Sequence, residues 1–213
     1  MTTPDVATTV RIEVVNPQSL DEVPALVAES RDNIHVVRLL TADDVSAFLD
    51  RIPQSMLAPA GIAGGDEGVA LNREVRNALL LNENEQPLLF ESVRRTIEER
   101  LQPIILTRAR EERFRISPMN LVRYEAGGFM RPHHDAGPGQ YVHRLFTVAV
   151  YLSADFEGGC TRFPHLDLEV RPTVGSAVLF PSPYVHEAQR VVSGEKKILQ
   201  FFLCDMTTNP DLL

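Results

Sequence analysis

The chain has 213 residues, of which 44% are hydrophobic, and a formal net charge of −8 at pH 7. Such a length suits one large domain with a substantial core, and the acidic balance disfavours nucleic acid as a partner. Two cysteines form no disulfide framework, which indicates a reducing compartment. The N-terminus lacks a signal-peptide pattern, and no apolar run approaches the roughly 20 residues of a membrane-spanning helix, so we expect a cytoplasmic protein without membrane association.

The first half of the chain predicts helices. A peripheral strand is expected around Val10–Val15 and a buried strand from Ile34 to Leu40. Thr41-Ala-Asp-Asp44 is a capping-box pattern that begins a helix, and Pro53 ends it. The apolar face of this helix consists of Val45, Phe48, Leu49 and Ile52. A second helix is predicted from Pro87, with Pro103 bending or ending it and with the buried stripe Phe90, Val93, Ile97 and Leu101.

Residues 54–70 contain four glycines and predict a loop between the two helices. Two interpretations remain open for this loop, a surface connection and a lid near an active-site mouth.

After Arg110 the apolar pattern changes to a period of two. It is clearest from Arg144 to Leu152, where Phe146, Val148 and Val150 would share one face of a strand, suited to packing against helices. The opposite face, with Thr147, Ala149 and Tyr151, suits a cavity wall. Helices followed by many short strands with Gly and Pro turns predict an α+β protein with a β-sandwich or barrel.

One short segment carries candidate chemistry, because His133 and Asp135 are separated by a single residue. On a strand, residues two apart project from the same face, so these side chains would point together and His134 away from them. One imidazole and one carboxylate supply two of the three ligands of a 2-His-1-carboxylate site, which is typical of non-haem Fe(II) oxygenases. His134 competes as a ligand by adjacency, and His186, which enters a late strand, is a candidate for the third position.

Five motifs follow one another around these residues. They are Arg-Tyr-x-x-Gly-Gly-x-x-x-x-His-x-Asp at 123–135, Arg-x-x-Thr-x-x-x-Tyr-Leu at 144–152, Gly-Gly-x-Thr-x-Phe-Pro at 158–164, Pro-x-x-Gly-x-x-x-x-Phe at 172–180, and a His followed after seven residues by Gly-x-Lys at 186–196. In this order they resemble the prolyl-4-hydroxylase-like branch of the Fe(II)/2-oxoglutarate-dependent dioxygenases. The resemblance covers roughly residues 120–203.

The resemblance implies a double-stranded β-helix in which His133, Asp135 and His186 hold Fe(II). Three protein ligands leave room for 2-oxoglutarate and O2, so the implied cofactors are Fe(II), 2-oxoglutarate as cosubstrate and O2, with ascorbate as a stimulant. The implied reaction oxidises a prime substrate while 2-oxoglutarate becomes succinate and CO2.

The resemblance also assigns the cosubstrate pocket. Lys196 is expected to hold the distal carboxylate of 2-oxoglutarate, because an ammonium in a low-dielectric pocket pairs well with a buried carboxylate. Tyr151 would lie beside that carboxylate and Tyr124 near the metal. Lys197 is the competitor to Lys196, and only the family spacing separates the two.

The prime-substrate pocket departs from the family. Collagen-type prolyl hydroxylases typically have a proline where Arg190 stands and a tryptophan after the lysine, and this chain contains no Trp. Arg190 is an even number of residues from His186 and Ala188, so on a continuous strand all three side chains would project from the same face. If the strand continues to residue 190, the guanidinium points towards the metal, where it could bind a carboxylate of the substrate. If the strand ends first, Arg190 lies in solvent.

We therefore expect an α+β fold with a jelly-roll or cupin-like double-stranded β-helix and N-terminal packing helices. Residues 1–110 would pack on the barrel and residues 111–213 would form the catalytic core, within one domain overall. The expected activity is a dioxygenase that hydroxylates an amino-acid-like small molecule or natural-product intermediate. The alternatives are a peptidyl, prolyl-type hydroxylase acting on a protein, and a cupin-like metal-binding protein without 2-oxoglutarate turnover.

Overall fold

The computed structural model of the chain describes residues 10–12, 27–63, 69–108, 114–137 and 141–205. Nineteen strands and two α-helices lie within these ranges. In chain order they are β1 (Val10–Ile12), β2 (Val27–Arg31), β3 (Ile34–Arg38), α1 (Ala42–Leu49), β4 (Ala58–Pro59), β5 (Ile62–Ala63), β6 (Val69–Ala70), β7 (Arg76–Asn77), β8 (Leu79–Asn82), α2 (Pro87–Arg108), β9 (Phe114–Ile116), β10 (Asn120–Tyr124), β11 (Phe129–His133), β12 (Arg144–Tyr151), β13 (Phe156–Gly158), β14 (Thr161–Phe163), β15 (Leu168–Val170), β16 (Ser176–Pro181), β17 (His186–Ala188), β18 (Val191–Gly194) and β19 (Lys196–Asp205).

The two large sheets have the strand order of a double-stranded β-helix. The six-stranded sheet runs β1-β15-β14-β17-β11-β7, and the nine-stranded sheet runs β2-β3-β16-β12-β19-β10-β8-β4, with β9 also pairing with β19. Eight core strands divide equally between them, β15-β14-β17-β11 in the first and β16-β12-β19-β10 in the second. This arrangement is a jelly roll, and the predicted fold class is confirmed.

Two apolar cores lie on opposite faces of the nine-stranded sheet. The outer core joins this sheet to the helices and includes Val148 and Val150, whereas the inner core lies between the sheets and includes Ala149 and Tyr151. The alternation predicted for β12 is therefore confirmed. Because the inner core is lined by both sheets, polar side chains on its walls are shielded from water.

Both helices begin where the sequence predicts. The Thr41 hydroxyl accepts from the Asp44 N–H at 3.0 Å and the Asp44 carboxylate accepts from the Thr41 N–H at 2.8 Å, which completes the capping box of α1. The α2 helix begins at Pro87 and continues through Pro103 to Arg108, so of the two predicted effects of Pro103, bending or ending the helix, the ending is wrong. A proline frees the carbonyl four residues earlier, and that residue, Glu99, is exposed, where water can satisfy its carbonyl. No helix of the described residues is both long and apolar enough to cross a bilayer.

Strands from the first half of the chain extend both sheets of the core. Strand β3 pairs with β16, and β1 pairs with β15. The expected strand around Val10–Val15 appears as Val10–Ile12, while residues 13–15 and the boundary predicted at residue 110 lie outside the described residues. The prediction of a plain loop over 54–70 is wrong in part, because β4, β5 and β6 lie there; residues 64–68 are not described.

A buried ion pair joins α2 to the turn between β9 and β10. Both carboxylate oxygens of Glu83 accept from the Arg94 guanidinium, and Glu83 Oε2 also accepts the Met119 N–H at 2.8 Å. Arg94 donates further to the Ser117 carbonyl at 2.8 Å. The side chains of Glu83 and Arg94 are 10% and 23% exposed, and Arg94 also pairs with Glu98 at 2.9 Å. Removing Glu83 would therefore leave the Met119 N–H without an acceptor and the guanidinium with one carboxylate partner instead of two.

We expect Glu83→Ala to lower the free energy of unfolding by about 1.5–3 kcal/mol, because it removes charge-assisted hydrogen bonds and leaves the Met119 N–H without its acceptor. The matched control is Glu91→Ala, which removes the partner of Arg95 from the same helix, where both side chains are 67% exposed. This control should change stability by less than about 1 kcal/mol. Urea unfolding of both variants measures the difference, and equal effects would contradict the structural role of Glu83.

Candidate metal and cosubstrate site

The structure brings His133, Asp135 and His186 together on the inner face of the six-stranded sheet. Strands β11 and β17 pair so that His133 lies opposite His186, with ring centroids 4.3 Å apart. Asp135 follows β11 directly, and its carboxylate oxygens lie 3.6 Å from His133 Nε2 and 3.4 Å from His186 Nε2. One candidate ligand atom from each residue lies within 4.8 Å of the others.

A β-bulge sets this arrangement. Met130 pairs with Ala188, so regular antiparallel pairing would place Pro132 opposite His186; instead the register shifts by one residue and His133 takes that position. Proline is suited to a bulge because it has no N–H for the ladder. The bulge therefore turns the imidazole of His133 towards the inner core.

Backbone carbonyls hold both imidazoles in one orientation. The Nδ1–H of His133 donates to the Arg131 carbonyl at 2.8 Å, and that of His186 donates to the Tyr184 carbonyl at 3.0 Å. Each ring therefore directs its Nε2 away from the backbone. Within the described residues, His133 Nε2 is buried without a hydrogen-bond partner. Burial lowers the pKa of His186 to about 4, so its ring is neutral at pH 7 and its lone pair is available.

Both the carboxylate and the backbone N–H of Asp135, the third member of the cluster, have hydrogen-bond partners. The Thr147 hydroxyl donates to Asp135 Oδ2 at 2.8 Å and lies 3.1 Å from the Ser182 hydroxyl, while the Ser182 carbonyl accepts the Asp135 N–H at 2.9 Å. Burial alone would raise the pKa of Asp135, but hydrogen bonds and the neighbouring imidazoles outweigh it and lower that pKa. Our sequence analysis placed Thr147 on a cavity wall without assigning it a role. Its position in the Arg-x-x-Thr motif was the available signal.

His134 lies apart from the cluster. Its side chain is exposed, and its Nδ1 hydrogen-bonds to the Ala136 carbonyl. This is the orientation that strand parity predicts for the residue between His133 and Asp135.

The donor set fits a divalent iron ion. Two imidazole nitrogens and one carboxylate oxygen are the ligands of the 2-His-1-carboxylate triad, in which the remaining coordination positions stay open. The buried, unpartnered His133 Nε2 is the observation that favours such an ion, because a buried polar atom without a partner is otherwise unfavourable.

Lys196 is the second notable feature of the inner core. Its side chain is 1% exposed, and Nζ donates to the Gly159 carbonyl at 2.6 Å. Nζ also lies 4.8 Å and 5.6 Å from the ring centroids of Tyr151 and Tyr124. Burial lowers the pKa of Lys196 to about 7. No carboxylate of the described residues forms an ion pair with it, so the pocket has a cation that lacks a counter-charge.

The two tyrosines lie on either side of this ammonium. Tyr124 is the cross-strand partner of Lys196. The Tyr151 hydroxyl lies 2.7 Å from the Thr161 hydroxyl, and burial raises the pKa of Tyr151. Lys197 points elsewhere, because its ammonium pairs with Glu195 at 3.0 Å. The structure thus brings Lys196, Tyr124 and Tyr151 together and leaves Lys197 out.

Arg190 does not join these groups. Strand β17 ends at Ala188, two residues earlier, so the continued pairing that would aim Arg190 at the metal is not present. The exposed guanidinium donates to the Gly127 carbonyl at 2.6 Å and stacks 4.4 Å from the centroid of Phe129. A different arginine, Arg76 of β7, has buried guanidinium nitrogens, and our sequence analysis missed it.

Comparison with known proteins agrees with this geometry. The family model of the 2OG-Fe(II) oxygenase superfamily matches residues 119–204. A putative prolyl 4-hydroxylase of Acanthamoeba polyphaga mimivirus is 30% identical over 100 residues, covering 38% of this chain and 41% of the relative. Prolyl 4-hydroxylase 1 of Arabidopsis thaliana is 32% identical over 105 residues, covering 37% of each. The chain therefore spans about two fifths of the length of these curated relatives.

The fold has a solved counterpart. The crystal structure of a viral collagen prolyl hydroxylase from Paramecium Bursaria Chlorella virus-1, in complex with 2OG, superposes with a TM-score of 0.64 at 19% identity. The match covers 82% of this chain and 97% of that one. At this identity the likeness concerns the fold.

We expect Lys196→Met to raise the free energy of unfolding at pH 6, because it replaces a buried, unpaired ammonium with an apolar chain of similar size. Burial lowers the pKa of Lys196 from 10.5 to about 7, so between these values the unfolded chain binds more protons than the folded one. Wild-type stability must then rise with pH in this window, and the advantage of the variant must shrink. Urea unfolding at pH 6 and pH 9 tests this; an advantage that grows with pH would contradict it.

Proposed function

We propose that this protein is an Fe(II)- and 2-oxoglutarate-dependent dioxygenase, and the match of residues 119–204 to the family model of the 2OG-Fe(II) oxygenase superfamily supports this. The observation that carries the proposal is that the walls of one inner core contain both a candidate metal site and a buried cation. A three-residue cluster fits the metal, and a buried cation without a counter-charge fits the cosubstrate. Neither feature has an evident structural purpose, since each leaves a buried polar atom or charge uncompensated.

In this proposal His133, Asp135 and His186 hold Fe(II), and Lys196 pairs with the distal carboxylate of 2-oxoglutarate. When bound, the ion and cosubstrate together with O2 supply the oxidising chemistry that removes hydrogen from the prime substrate. In the same proposal the Tyr151 hydroxyl shares the cosubstrate carboxylate.

The rest of the inner core keeps water away from these groups. The apolar side chains of Val122, Ile198 and Phe180 lie in this core and surround the polar groups with a low dielectric. A low dielectric strengthens the pairing between an ammonium and a carboxylate.

We further propose hydroxylation of an amino-acid-like small molecule. The support is the departure from the collagen-type pattern after the lysine, since the chain contains no tryptophan. Peptidyl prolyl hydroxylation is the second candidate, and the names of the relatives from mimivirus and Arabidopsis thaliana favour it.

The direct test is succinate formation by the purified protein with Fe(II), ascorbate, 2-oxoglutarate and air. An enzyme of this class forms succinate slowly without a prime substrate and faster with one. A protein that binds the metal but forms no succinate would instead be a cupin-like metal-binding protein. Free amino acids and proline-containing peptides, added separately, then distinguish the two substrate classes.

Alanine substitution of His133, Asp135 or His186 should abolish iron binding and turnover, because each removes one of three ligands. His134→Ala is the matched control, since His134 is adjacent but exposed. Titration of the metal-free variants with Fe(II) under nitrogen measures the affinity. Loss of iron in His134→Ala with retention in His133→Ala would reverse the assignment.

Lys196→Ala should weaken the binding of the cosubstrate, raising its dissociation constant by about 30-fold or more while iron binding persists, because unpairing a buried charge costs about 2–5 kcal/mol. Lys197→Ala, one residue on, serves as the control and should bind 2-oxoglutarate normally, since Lys197 already pairs with Glu195. Calorimetric titration of both variants gives the two constants. The opposite result would move the role to Lys197.

A further inference from the structure

Arg76 lies on the wall of the inner core, next to the strand that carries His133. Strand β7 pairs with β11, with Arg76 opposite Met130, and Met130 in turn lies opposite Ala188 of β17. Directly paired residues of antiparallel strands project from the same face of a sheet. Met130, Ala188 and Ala78, which is two residues from Arg76, all pack against the inner core, so the side chain of Arg76 faces it too.

One edge of the Arg76 guanidinium has no carboxylate or carbonyl acceptor. Its Nη1 donates to the Gly61 carbonyl at 3.2 Å. Its Nε and Nη2 atoms are buried, and within the described residues neither makes a hydrogen bond of good geometry, although the Tyr124 hydroxyl is close to the guanidinium. These two nitrogens form a single side of the guanidinium plane, with two parallel N–H groups. This is the geometry that binds a carboxylate through both of its oxygens.

Arg76 and the proposed metal centre share Tyr124 as a neighbour. Burial raises the pKa of Tyr124, the Arg76 guanidinium opposes this through its charge and a side-chain hydrogen bond, and the Asp135 carboxylate raises that pKa further. Lys196, the proposed anchor of the cosubstrate, lies across the strand pair from Tyr124. The inner core thus holds two cationic side chains, Arg76 and Lys196, near the phenol of Tyr124. The proposed cosubstrate uses only Lys196 and the metal, so Arg76 is available for another ligand.

We propose that the Nε–Nη2 edge of Arg76 binds a carboxylate of the prime substrate and thereby orients that substrate at the metal. The inference rests on the proposed dioxygenase function and makes its substrate class definite, a free carboxylic acid such as an amino acid. An internal residue of a peptide has no free α-carboxylate for this edge. Arg190 does not have this role, because it is exposed and already bound to a backbone carbonyl and an aromatic ring.

The experiment compares the twenty proteinogenic amino acids with their α-carboxamides as stimulants of succinate formation by the 213-residue protein. We expect at least one acid to stimulate, and its amide to show a kcat/KM lower by about 30-fold or more, because the amide leaves a buried cation unpaired. In Arg76→Gln the Michaelis constant for that acid should rise by a similar factor, so that acid and amide become nearly equal. Calorimetric binding of the acid to the anaerobic complex with Fe(II) and 2-oxoglutarate should weaken by the same factor.

Three variants serve as comparisons. Arg95→Gln, on the exposed side of α2, should keep the wild-type ratio of acid to amide. Arg76→Lys keeps the charge but loses the paired N–H geometry, and should fall between wild type and Arg76→Gln. If Arg76→Gln fails to fold, Arg76→Lys still tests the assignment by this ratio. Loss of the preference in Arg190→Gln, with retention in Arg76→Gln, would transfer the role to Arg190 and overturn the proposal.

Other outcomes overturn it as well. The proposal is wrong if amides stimulate succinate formation as strongly as acids, or if no acid of the panel stimulates it. It is also wrong if the ratio of kcat/KM for acid and amide is the same in Arg76→Gln as in the wild type. Arg76→Gln could also raise the Michaelis constant for 2-oxoglutarate by as much as it raises that for the acid. In that case the Nε–Nη2 edge of Arg76 would bind the cosubstrate rather than the prime substrate. A wild-type protein that forms no succinate refutes the dioxygenase function itself, whereas succinate formation without a preference for acids refutes only the role of Arg76.

Discussion

The proposed site depends on one irregular strand pairing. The bulge between Met130 and His133 shifts β11 by a residue against β17, and His133 rather than Pro132 then lies opposite His186. Strand side chains alternate between faces, so regular pairing would turn His133 away from the inner core. The carboxylate of Asp135 and the hydroxyl of Thr147 have their present contacts only with this register. A few backbone hydrogen bonds therefore decide whether the chain has a metal site.

Three groups of the inner core are left uncompensated by the fold itself. They are the Nε2 atom of His133, the ammonium of Lys196 and one edge of Arg76. Each lowers the stability of the free protein, because a buried polar group without a suitable partner has lost its hydration. All three belong to residues on the walls of the inner core. The protein thus gives up stability where ligands are proposed to bind, and those ligands would restore it.

Local patterns predicted much of this architecture. The capping box of Thr41 and Asp44, the alternation along β12 and the opposed faces of His133 and His134 follow from geometry over a few residues, and all appear in the structure. Non-local pairing was harder to predict. Where β17 ends depends on its contacts with distant turns, so parity alone did not place Arg190.

Arg76 was missed for a related reason. Strand β7 has two residues, too few for a periodic signal, and the run Leu79–Leu81 that follows does not alternate. Only the pairing with β11, about fifty residues away in sequence, reveals which face Arg76 occupies. Similarly, the sequence distinguished Lys196 from Lys197 as the cosubstrate-binding residue only by the motif spacing of the family. The structure distinguishes them by burial and by the partner of each ammonium.

The fixed imidazole orientation has a consequence for metal selection. Both rings are held by carbonyls two residues before them, so the donor atoms are positioned before any ion arrives. A preformed set of two nitrogens and one oxygen does not favour iron over its neighbours, since affinity along the first transition row rises from manganese and iron towards copper at most such sites. Zinc, nickel and copper should therefore compete for this cluster. The fraction of protein that carries iron would then depend on the metals available where the chain folds.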